Sequence, residues 1–541
     1  MNNTTFIFVM IICTTFCSTV FSSSSLFMDT QNTPKELSGE IGILIFIFVY
    51  LYSLKFKKEL IQKNKISFYT ILFISLIAGV EAIYGIFEFI LNLIFDGYIS
   101  PSSASFNNPA GFSALLSFVY PYTIYLHRIL KKNIVYIKSI IILIIIGVLT
   151  SCSRTGILCI VYTSIYYFYH RESNKIRNKT AMYIYALIFL FAGLLWGLYI
   201  INKDSANGRI FIWERAVEMI KEKPFWGYGM NGFEKNYMMF QADYFENHPD
   251  SSYSMLADNV QFSYNEFISF IIDWGLLGFI VLTFIALFIF YHYKQESHTL
   301  KVYACMSFIS TLIFSLFSYP FSYFFTWIML VMNIYLMTSS LYSNLKFILI
   351  SSKIKFFLTF IALLITGFLF LNRVFYLCND IKWKNAYNLY IYDNVEVSLD
   401  KYKELYFIKK NEPRFLYNYA SVLYNLGKYD DSFRIANESN NLWRNYNTEI
   451  LLGDIENNRN NNEYAINHYM TAHNMCPNRF VPLYKQFKIY KAQGDTAMMI
   501  SIGNEILAKR VKVPSRKIDI ILNNVRYELQ KISNNDESSC Q

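Results

Sequence analysis

A long apolar run, FISFIIDWGLLGFIVLTFIALFIF, occupies residues 267–290. Its 24 residues contain one charged side chain, Asp273. A helix of about 20 apolar residues is long enough to cross the hydrocarbon core of a bilayer, and it satisfies its own backbone hydrogen bonds there. The run therefore predicts a transmembrane helix.

Ten further apolar stretches extend this prediction to most of the chain. Several are shorter than a full crossing, but flanking Lys and aromatic side chains can snorkel to the interface. The first stretch, followed by Ser22–Ser25, also has features of a signal peptide, although its uncharged start favours a retained helix. The fold class is thus an all-α polytopic membrane protein with about eleven transmembrane helices. The ten stretches are 4–21, 41–54, 68–95, 110–126, 134–150, 155–170, 181–201, 303–318, 321–342 and 356–372.

The distribution of basic residues predicts the topology. Alternate connecting segments carry 17 Lys and Arg, whereas the opposite short loops carry only Lys35 and Arg154. Basic loops remain in the cytoplasm. Segment 202–262 and everything after residue 372 should therefore face outward, into the periplasm of a Gram-negative cell. The predicted location is a bacterial inner membrane.

Charge density changes along the chain and predicts two domains. Charged residues make up only 16% of the sequence, well below the roughly 25% of soluble domains. Up to about Leu371 they occur in short clusters, and beyond Asn372 they are spread throughout. We expect a transmembrane domain over 1–372, with the outward loop 202–262, and a soluble domain over 373–541.

The C-terminal domain has a repeat pattern. Small and aromatic residues recur with tetratricopeptide (TPR) spacing, a looser copy precedes them, and a third unit ends near Ile506. Three helix pairs are about the minimum for a stable solenoid. The pattern predicts a TPR-like α-solenoid that binds a protein partner, with an ordinary helical domain as the alternative. The clearest copy contains Leu452, Gly453, Ala465, Tyr469, Ala472 and Pro477.

Several function classes are excluded. The net charge of +10 resides mainly beside the apolar runs and forms no basic stripe with stacking aromatics, which argues against nucleic-acid binding. The eight Cys lack CxxC spacing. The sequence contains no P-loop, HExxH or GxSxG motif. We expect neither a metal site nor a cofactor.

Polar groups near the predicted membrane boundary are candidates for function because they are costly there. The sequence FNNPAG, residues 106–111, places Asn107 and Asn108 at the start of the fourth predicted helix. Helix capping is the alternative role of these residues. The sequence SCSRTG, residues 151–156, places Arg154 in a tight outward turn. An unpaired guanidinium at this depth suits an anion, and an acidic side chain or lipid headgroup is its alternative partner.

Two more groups belong to the outward loop and the helix after it. Ile210, Trp213, Val217 and Ile220 predict an amphipathic helix at the membrane surface, with Arg209 at its N-terminal end and Arg215 inside it. Cations are unfavourable at helix N-termini, so Arg209 is a candidate for ligand binding. Tyr264, Asn265 and Glu266 open the following helix, where Glu266 also suits the helix dipole.

Taken in order, these segments resemble the O-antigen ligase family, which includes O-antigen polymerases and bacterial protein O-oligosaccharyltransferases. The resemblance covers about residues 100–290 and is carried by FNNPAGFSALL, SCSRTGI, NGRIFIWERAVEMIKEKPFWGYGMNGF and YNEFISFIIDWGLLGFI. The third segment is similar to the family's Gly-Arg, Trp and Pro-x-x-Gly-x-Gly pattern. Some family members also carry a tetratricopeptide tail.

The resemblance implies a metal-independent transferase that moves a glycan from undecaprenyl diphosphate to an acceptor on the outer face. The acceptor is the lipid A core in ligases, a growing chain in polymerases, and Ser or Thr in the protein-modifying members. Arg154 and Arg209 would hold the diphosphate, with Arg215 as a third candidate. We expect ligase-type activity ahead of the other two.

The general base differs from the family pattern. Many ligases have His where this chain has Tyr264, and an unperturbed Tyr is a poor base. Glu266 is the favoured replacement, and His248 in the loop is the alternative. A glycan transporter and a membrane-anchored scaffold remain alternative functions. A transporter would need polar residues near the membrane midplane, and a scaffold leaves the outward Arg residues unexplained.

Overall fold

The structure, a computed structural model, describes residues 3–56, 63–97, 99–130, 134–171, 203–294, 299–338, 352–392 and 394–539. These residues form α-helices joined by short connections and two 3-10 turns, and the described ranges contain no β-strand. The predicted all-α fold class is confirmed. The helices are α1 Asn3–Phe21, α2 Asn32–Phe56, α3 Lys63–Asp96, α4 Pro109–Ile129, α5 Ile134–Thr150, α6 Arg154–Arg171, α7 Lys203–Glu222, α8 Gly232–Asn247, α9 Glu266–Lys294, α10 Thr299–Phe317, α11 Phe324–Met337, α12 Ser352–Ile391, α13 Val395–Lys409, α14 Pro413–Asn425, α15 Tyr429–Leu442, α16 Tyr446–Asn458, α17 Asn462–Met475, α18 Val481–Gln493, α19 Thr496–Ala508 and α20 Arg516–Ser539.

Six helices in the described ranges are long and apolar enough to cross a membrane. They confirm a polytopic α-helical membrane protein, while the predicted total of eleven crossings stays a prediction. The apolar stretch 181–201 lies outside the described residues. The six spans are Thr4–Phe21, Asn32–Ser53, Asn64–Phe95, Glu266–Tyr293, Thr299–Phe317 and Phe357–Ile391.

Helix α4 shows why a crossing helix need not be uniformly apolar. It is not among the six spans, yet almost its whole length is buried against α3, α5, α6 and α10. A helix enclosed by other helices can carry Ser, Thr and Tyr because protein groups satisfy them. The buried Thr123 donates to Ser75, and Ser307 of α10 donates to the Phe118 carbonyl.

Glycines allow α4 and its neighbours to approach closely. A Cβ at Gly156 would lie 1.8 Å from Ser113 Oγ on α4. A Cβ at Gly147 would lie 2.8 Å from Leu116, also on α4. Small residues at such crossings are typical of helix packing in membranes. Helices α5 and α6 are therefore both seated against α4.

The described chain forms two compact units. The first contains the described residues of Met1–Asn202, with Tyr264–Phe267 and Ile280–Ile381. The second contains Lys203–Ser263, Ile268–Phe279 and the described residues of Lys382–Gln541. The large loop thus belongs to the same unit as the C-terminal helices. The boundary expected at residue 372 lies inside the 40-residue helix α12.

Successive helix pairs make up the C-terminal part of the second unit. Helix α14 packs on α15, α16 on α17, and α18 on α19. In the α16–α17 pair, a Cβ at Gly453 would lie 2.5 Å from the Tyr469 ring, so glycine is required where that ring crosses. In the α14–α15 pair, Ser432 Oγ donates to the Ala420 carbonyl at 2.8 Å.

An additional helix pair precedes those expected from the sequence. Ser398 Oγ of α13 donates to the Ala386 carbonyl of α12 at 2.8 Å. The same bond joins Ser432 to Ala420, and both partners lie 34 residues further along the chain. The end of α12 therefore pairs with α13 as α14 pairs with α15. The sequence obscured this pair because its first helix continues directly from a membrane-spanning run.

Candidate functional site

A tight turn between α10 and α11, residues 318–323, connects several of the predicted site residues in the first unit. Asn108 caps α4, since its Oδ1 accepts the Ala110 N–H at 2.8 Å. Its Nδ2 also donates to Tyr319 Oη at 2.7 Å. Capping is therefore one role of Asn108, and attachment to this turn is a second. The neighbouring Asn107 is exposed.

The start of α9 contacts the same turn. The Tyr264 ring packs edge-on against Tyr319, with ring centroids 5.5 Å apart. The Glu266 Oε1 accepts the Phe321 N–H at 3.1 Å. Asn265 caps the helix by accepting the Phe267 N–H at 3.0 Å. The predicted trio 264–266 and Asn108 are thus brought together by the 318–323 turn.

Tyr264 has an unusual backbone conformation. Its φ is +57°, in the left-handed region that a non-glycine residue seldom adopts. Such a conformation costs free energy and persists where surrounding contacts hold it. Here the Tyr319 ring and the cap at Asn265 fix the residues on either side of the turn into α9.

Buried charges hold the loop before α4. Glu88 accepts the N–H groups of Ser103 and Ala104 at 2.9 and 2.7 Å. Lys35, which is 5% exposed, donates to the Ser105 carbonyl. A buried charge must be paired or hydrogen-bonded to be tolerated. These contacts fix the loop that delivers Asn107 and Asn108.

The same loop is attached to the segment that carries Arg154. Ser102 N donates to the Thr150 carbonyl at 3.1 Å, at the end of α5. The turn that follows is closed by Ser153, whose Oγ accepts the Gly156 N–H at 3.2 Å and so caps α6. Arg154 is therefore the first residue of a helix.

Arg154 is half-buried, and within the described part of the chain it makes no hydrogen bond or ion pair. A cation at a helix N-terminus is disfavoured unless an anion accompanies it. The free N–H groups of a first helical turn themselves attract anions. The Arg154 guanidinium and the start of α6 therefore form a region of positive potential.

The structure corrects the predicted placement of Arg209 in the second unit. Helix α7 begins at Lys203, so Arg209 lies in its second turn and not at its N-terminal end. The sequence misplaced the start because polar Ser205, Asn207 and Gly208 resemble a cap, yet they are helical. The dipole argument made for Arg209 applies instead to Arg154.

Two faces of α7 have different surroundings. Phe211, Ile212, Ala216 and Met219 are buried, whereas Ile210 and Val217 are 46% and 43% exposed. The apolar face predicted for the membrane surface is therefore partly free of protein contacts within the described residues. Its contact with a membrane stays a prediction.

Arg215 is engaged inside the second unit. Its guanidinium lies 3.2 Å from Glu218 and stacks over the Tyr244 ring at 4.1 Å. Its side chain is 12% exposed. A guanidinium held between a carboxylate and an aromatic face is less available to a diphosphate than an unpaired one. Arg215 is thus placed to join α7 to α8.

His248 ends α8 beside an open cavity of about 490 Å³. Its ring stacks on Tyr244, and its Nδ1 lies 3.0 Å from the Tyr244 carbonyl. A carbonyl oxygen only accepts, so Nδ1 carries the proton and Nε2 of the neutral ring has a free lone pair. Within the described residues Nε2 makes no hydrogen bond. His248 can therefore accept a proton from a group that enters this cavity.

The C-terminal helices bind the loop through specific polar contacts. The fully buried Gln241 of α8 donates from Nε2 to the carbonyls of Asp258 and Met475, at 2.9 and 2.6 Å. Arg479 forms a 2.6 Å ion pair with Asp258. Burial alone would raise the pKa of Asp258, but the Asn259 N–H and the Arg479 guanidinium outweigh it and lower that pKa. The loop is therefore held in one arrangement against α17 and the segment after it.

Comparison with known families decides the identity of the central region. Residues 139–283 match the family model described as O-antigen ligase. The chain belongs to the O-antigen ligase family. The ligase domain includes Arg154, Arg209, Arg215, His248 and the trio 264–266, while Asn107 and Asn108 precede it. No match was found among curated proteins.

Two side chains that sequence reasoning did not select are central to the site. Tyr319 contacts both Asn108 and Tyr264, and Tyr323 stacks on Tyr319 with ring centroids 6.2 Å apart. They lie outside the ligase domain, more than 30 residues beyond its end. The only sequence signal was the Tyr-Pro-Phe-Ser-Tyr turn, which is hidden among the chain's 44 tyrosines.

The described residues contain no group of three or more His, Cys, Asp or Glu side chains arranged to hold a metal ion. The chemistry considered below is therefore that of the chain's own side chains.

Proposed function

We propose that this protein transfers a glycan from an undecaprenyl-diphosphate carrier to an acceptor on the periplasmic face of a bacterial inner membrane. The family match over residues 139–283 supports a membrane glycan transferase of the O-antigen ligase or polymerase type. Within that class the proposal is ligase-type transfer to a lipid A core. O-antigen polymerisation and protein O-glycosylation are the alternative reactions.

Arg154 supports the proposed donor. Transfer breaks the bond between the anomeric carbon and the diphosphate oxygen, which leaves negative charge on the diphosphate. Preorganised cations in a site of low dielectric stabilise such charge. Arg154 lies at a helix N-terminus and makes no ion pair in the described residues, so it is suited to this task. Arg209, in the same ligase domain, is the proposed second cation.

The other half of the reaction forms a bond between the acceptor oxygen and the anomeric carbon. The proton of the acceptor hydroxyl must pass to a base as this bond forms. We propose Glu266 for this role, because the 318–323 turn orients its carboxylate through the Phe321 N–H. His248 is the alternative, since its Nε2 has a free lone pair. Asn107, Asn108, Tyr264 and Asn265 would contact the substrates.

The decisive experiment replaces Arg154 and Arg209 separately with Ala and with Lys. Glycan transfer should be lost in both Ala variants while membrane insertion and expression stay normal. A large loss in the Lys variants as well would indicate bidentate phosphate recognition, because Lys presents only a point charge. Arg434→Ala is the control, as it removes an exposed guanidinium from α15. Full transfer by Arg154→Ala would contradict the proposed role.

Glycan profiles of a deletion strain distinguish the reactions. Loss of long-chain lipopolysaccharide with accumulation of unlinked polymer identifies a ligase. Loss of the long chains without that polymer identifies a polymerase. Loss of glycoprotein staining identifies protein transfer. Unchanged glycans would favour the transporter or scaffold alternatives.

We further propose that the TPR-like helices recruit a protein, either an acceptor or an assembly partner. Part of their surface already binds the loop through Met475 and Arg479. Deletion after residue 372 would therefore disturb the ligase domain as well as any partner site. Surface variants on helix faces away from the loop test recruitment without that complication. Unchanged acceptor choice in all such variants would contradict it.

A further inference from the structure

The turn between α7 and α8, residues 224–231, has the sequence PFWGYGMN and projects large apolar side chains away from the protein. Phe225 is 61% exposed, Trp226 80% and Met230 76%. A contiguous apolar group of this size on one short turn is unfavourable in water. The exposure therefore indicates that something apolar covers it.

Backbone hydrogen bonds place this turn beside the membrane-spanning helix α9. Tyr228 N donates to the Ile272 carbonyl at 2.8 Å, and Gly229 N donates to the Asp273 carbonyl at 2.9 Å. In return, Leu276 N donates to the Pro224 carbonyl at 2.8 Å. Residues 272–276 lie within the candidate span Glu266–Tyr293. The turn is therefore at the depth of the first turns of that span.

The attachment depends on two glycines and an acidic side chain. Helix α9 is interrupted at Gly275, whose φ is +67°. A Cβ there would lie 2.0 Å from the Phe225 carbonyl oxygen, and a Cβ at Gly227 would lie 2.4 Å from that of Ile272. The Asp273 carboxylate accepts the N–H groups of Asn231 and Phe233 at 3.2 and 3.3 Å. The turn cannot rise from the helix without breaking these bonds.

The surrounding residues match a lipid interface. Only 11% of the apolar window in α9 is buried inside the protein, so this helix faces lipid over much of its length. Trp274, on the same segment, is 49% exposed. Tryptophan is enriched at membrane interfaces, and nearby Lys side chains bind anionic headgroups. Lys221 and Lys223 are both exposed just before the turn.

We propose that Phe225, Trp226 and Met230 insert into the bilayer interface and anchor the large loop to the lipid surface. The partner is the bilayer itself, because covalent and hydrogen-bonded continuity with α9 sets the depth of the turn. The anchor would keep the loop of the ligase domain at the surface where a lipid-linked substrate lies.

Tryptophan fluorescence of the full-length protein tests this inference. The wild type and Trp226→Phe are reconstituted in phosphatidylethanolamine and phosphatidylglycerol vesicles, and the difference between their spectra gives the Trp226 emission. Lipids brominated near the headgroup should quench this emission strongly, and aqueous acrylamide should quench it weakly. Trp443→Phe, measured in the same way, gives a matched control from the second unit. Its emission should be several-fold less sensitive to brominated lipid.

Other outcomes would overturn the inference. Strong quenching by acrylamide with none by lipid would place Trp226 in water. Protection from both quenchers would indicate a protein cover. Trp226→Tyr provides a second difference spectrum that retains more interfacial character. None of these readouts depends on glycan transfer, so they remain decisive even if the proposed reaction is wrong.

Discussion

The amide of Asn108 connects α4 to the 318–323 turn: its Oδ1 accepts the Ala110 N–H at 2.8 Å, and its Nδ2 donates to Tyr319 Oη at 2.7 Å. One side chain therefore caps a buried helix and fixes a turn 211 residues away. Tyr319 transmits this order to α9 through the Tyr264 ring. The polar residues predicted separately along the sequence are thus joined around a single tyrosine.

Replacement of Asn108 by Ala should lower the free energy of unfolding by about 1–2 kcal/mol, because the helix loses its cap. Asn108→Asp should retain most of the stability, since a carboxylate can accept from both the Ala110 N–H and the Tyr319 hydroxyl. Tyr319→Phe should cost about 1 kcal/mol through the lost hydrogen bond alone. Thermal unfolding in detergent measures all three. Equal losses in the Ala and Asp variants would show that the cap is unimportant.

Gly275→Ala should be severely destabilising, by about 3 kcal/mol or more, because φ is +67° and the new Cβ would collide with the Phe225 carbonyl. Limited proteolysis should then cleave the 224–231 turn faster. Gly367→Ala is the matched control in another apolar helix, where nothing lies within 4 Å of the added Cβ. Removal of a helical glycine should leave stability unchanged or raise it by up to about 1 kcal/mol. Similar behaviour of the two variants would refute the close approach.

Gln241→Leu should weaken the attachment of the loop to the C-terminal helices by about 2–4 kcal/mol. It would leave the carbonyls of Asp258 and Met475 without their buried donor. Hydrogen exchange should report faster exchange in both α8 and α17. The matched control is Gln493→Leu, at an exposed end of α18. Exchange that changes in neither helix would exclude a role for Gln241 in this attachment.

Acidification should destabilise the second unit through His473. Burial, with a smaller contribution from Lys509, lowers the pKa of His473 to about 3, against an ordinary value of 6.5. Between these values the unfolded chain binds more protons than the folded one, so stability is fully present above pH 6.5 and is lost as the pH falls toward 3. Glu505 lies 3.6 Å from Nε2 and only partly offsets this cost.

His473→Gln should therefore show a smaller drop in Tm between pH 7 and pH 5 than the wild type, because Gln binds no proton. Differential scanning fluorimetry at several pH values in one detergent makes the comparison. An identical pH dependence in the two proteins would mean that His473 is accessible to protons in the folded state.

The sequence by itself determined the apolar helices and the helix pairs of the C-terminal part. Both follow from local composition: an apolar run needs only its own length to favour a membrane, and the spacing of Gly453 and Tyr469 brings both to one crossing between paired helices. It also identified the segments 106–111, 151–156 and 264–266, because polar residues at the ends of apolar runs stand out. The family resemblance stated from these motifs is confirmed over residues 139–283.

Tertiary structure alone decided which of these segments meet. The contact of Asn108 with Tyr319, the attachment of the 224–231 turn to α9, and the hold of α17 on the loop all join residues distant in sequence. Such contacts depend on how whole helices pack, and hydropathy or spacing within a short window carries no record of that packing. The start of α7 was misplaced for a related reason. Polar residues that resemble a cap can be helical when the rest of the helix is fixed by its buried face.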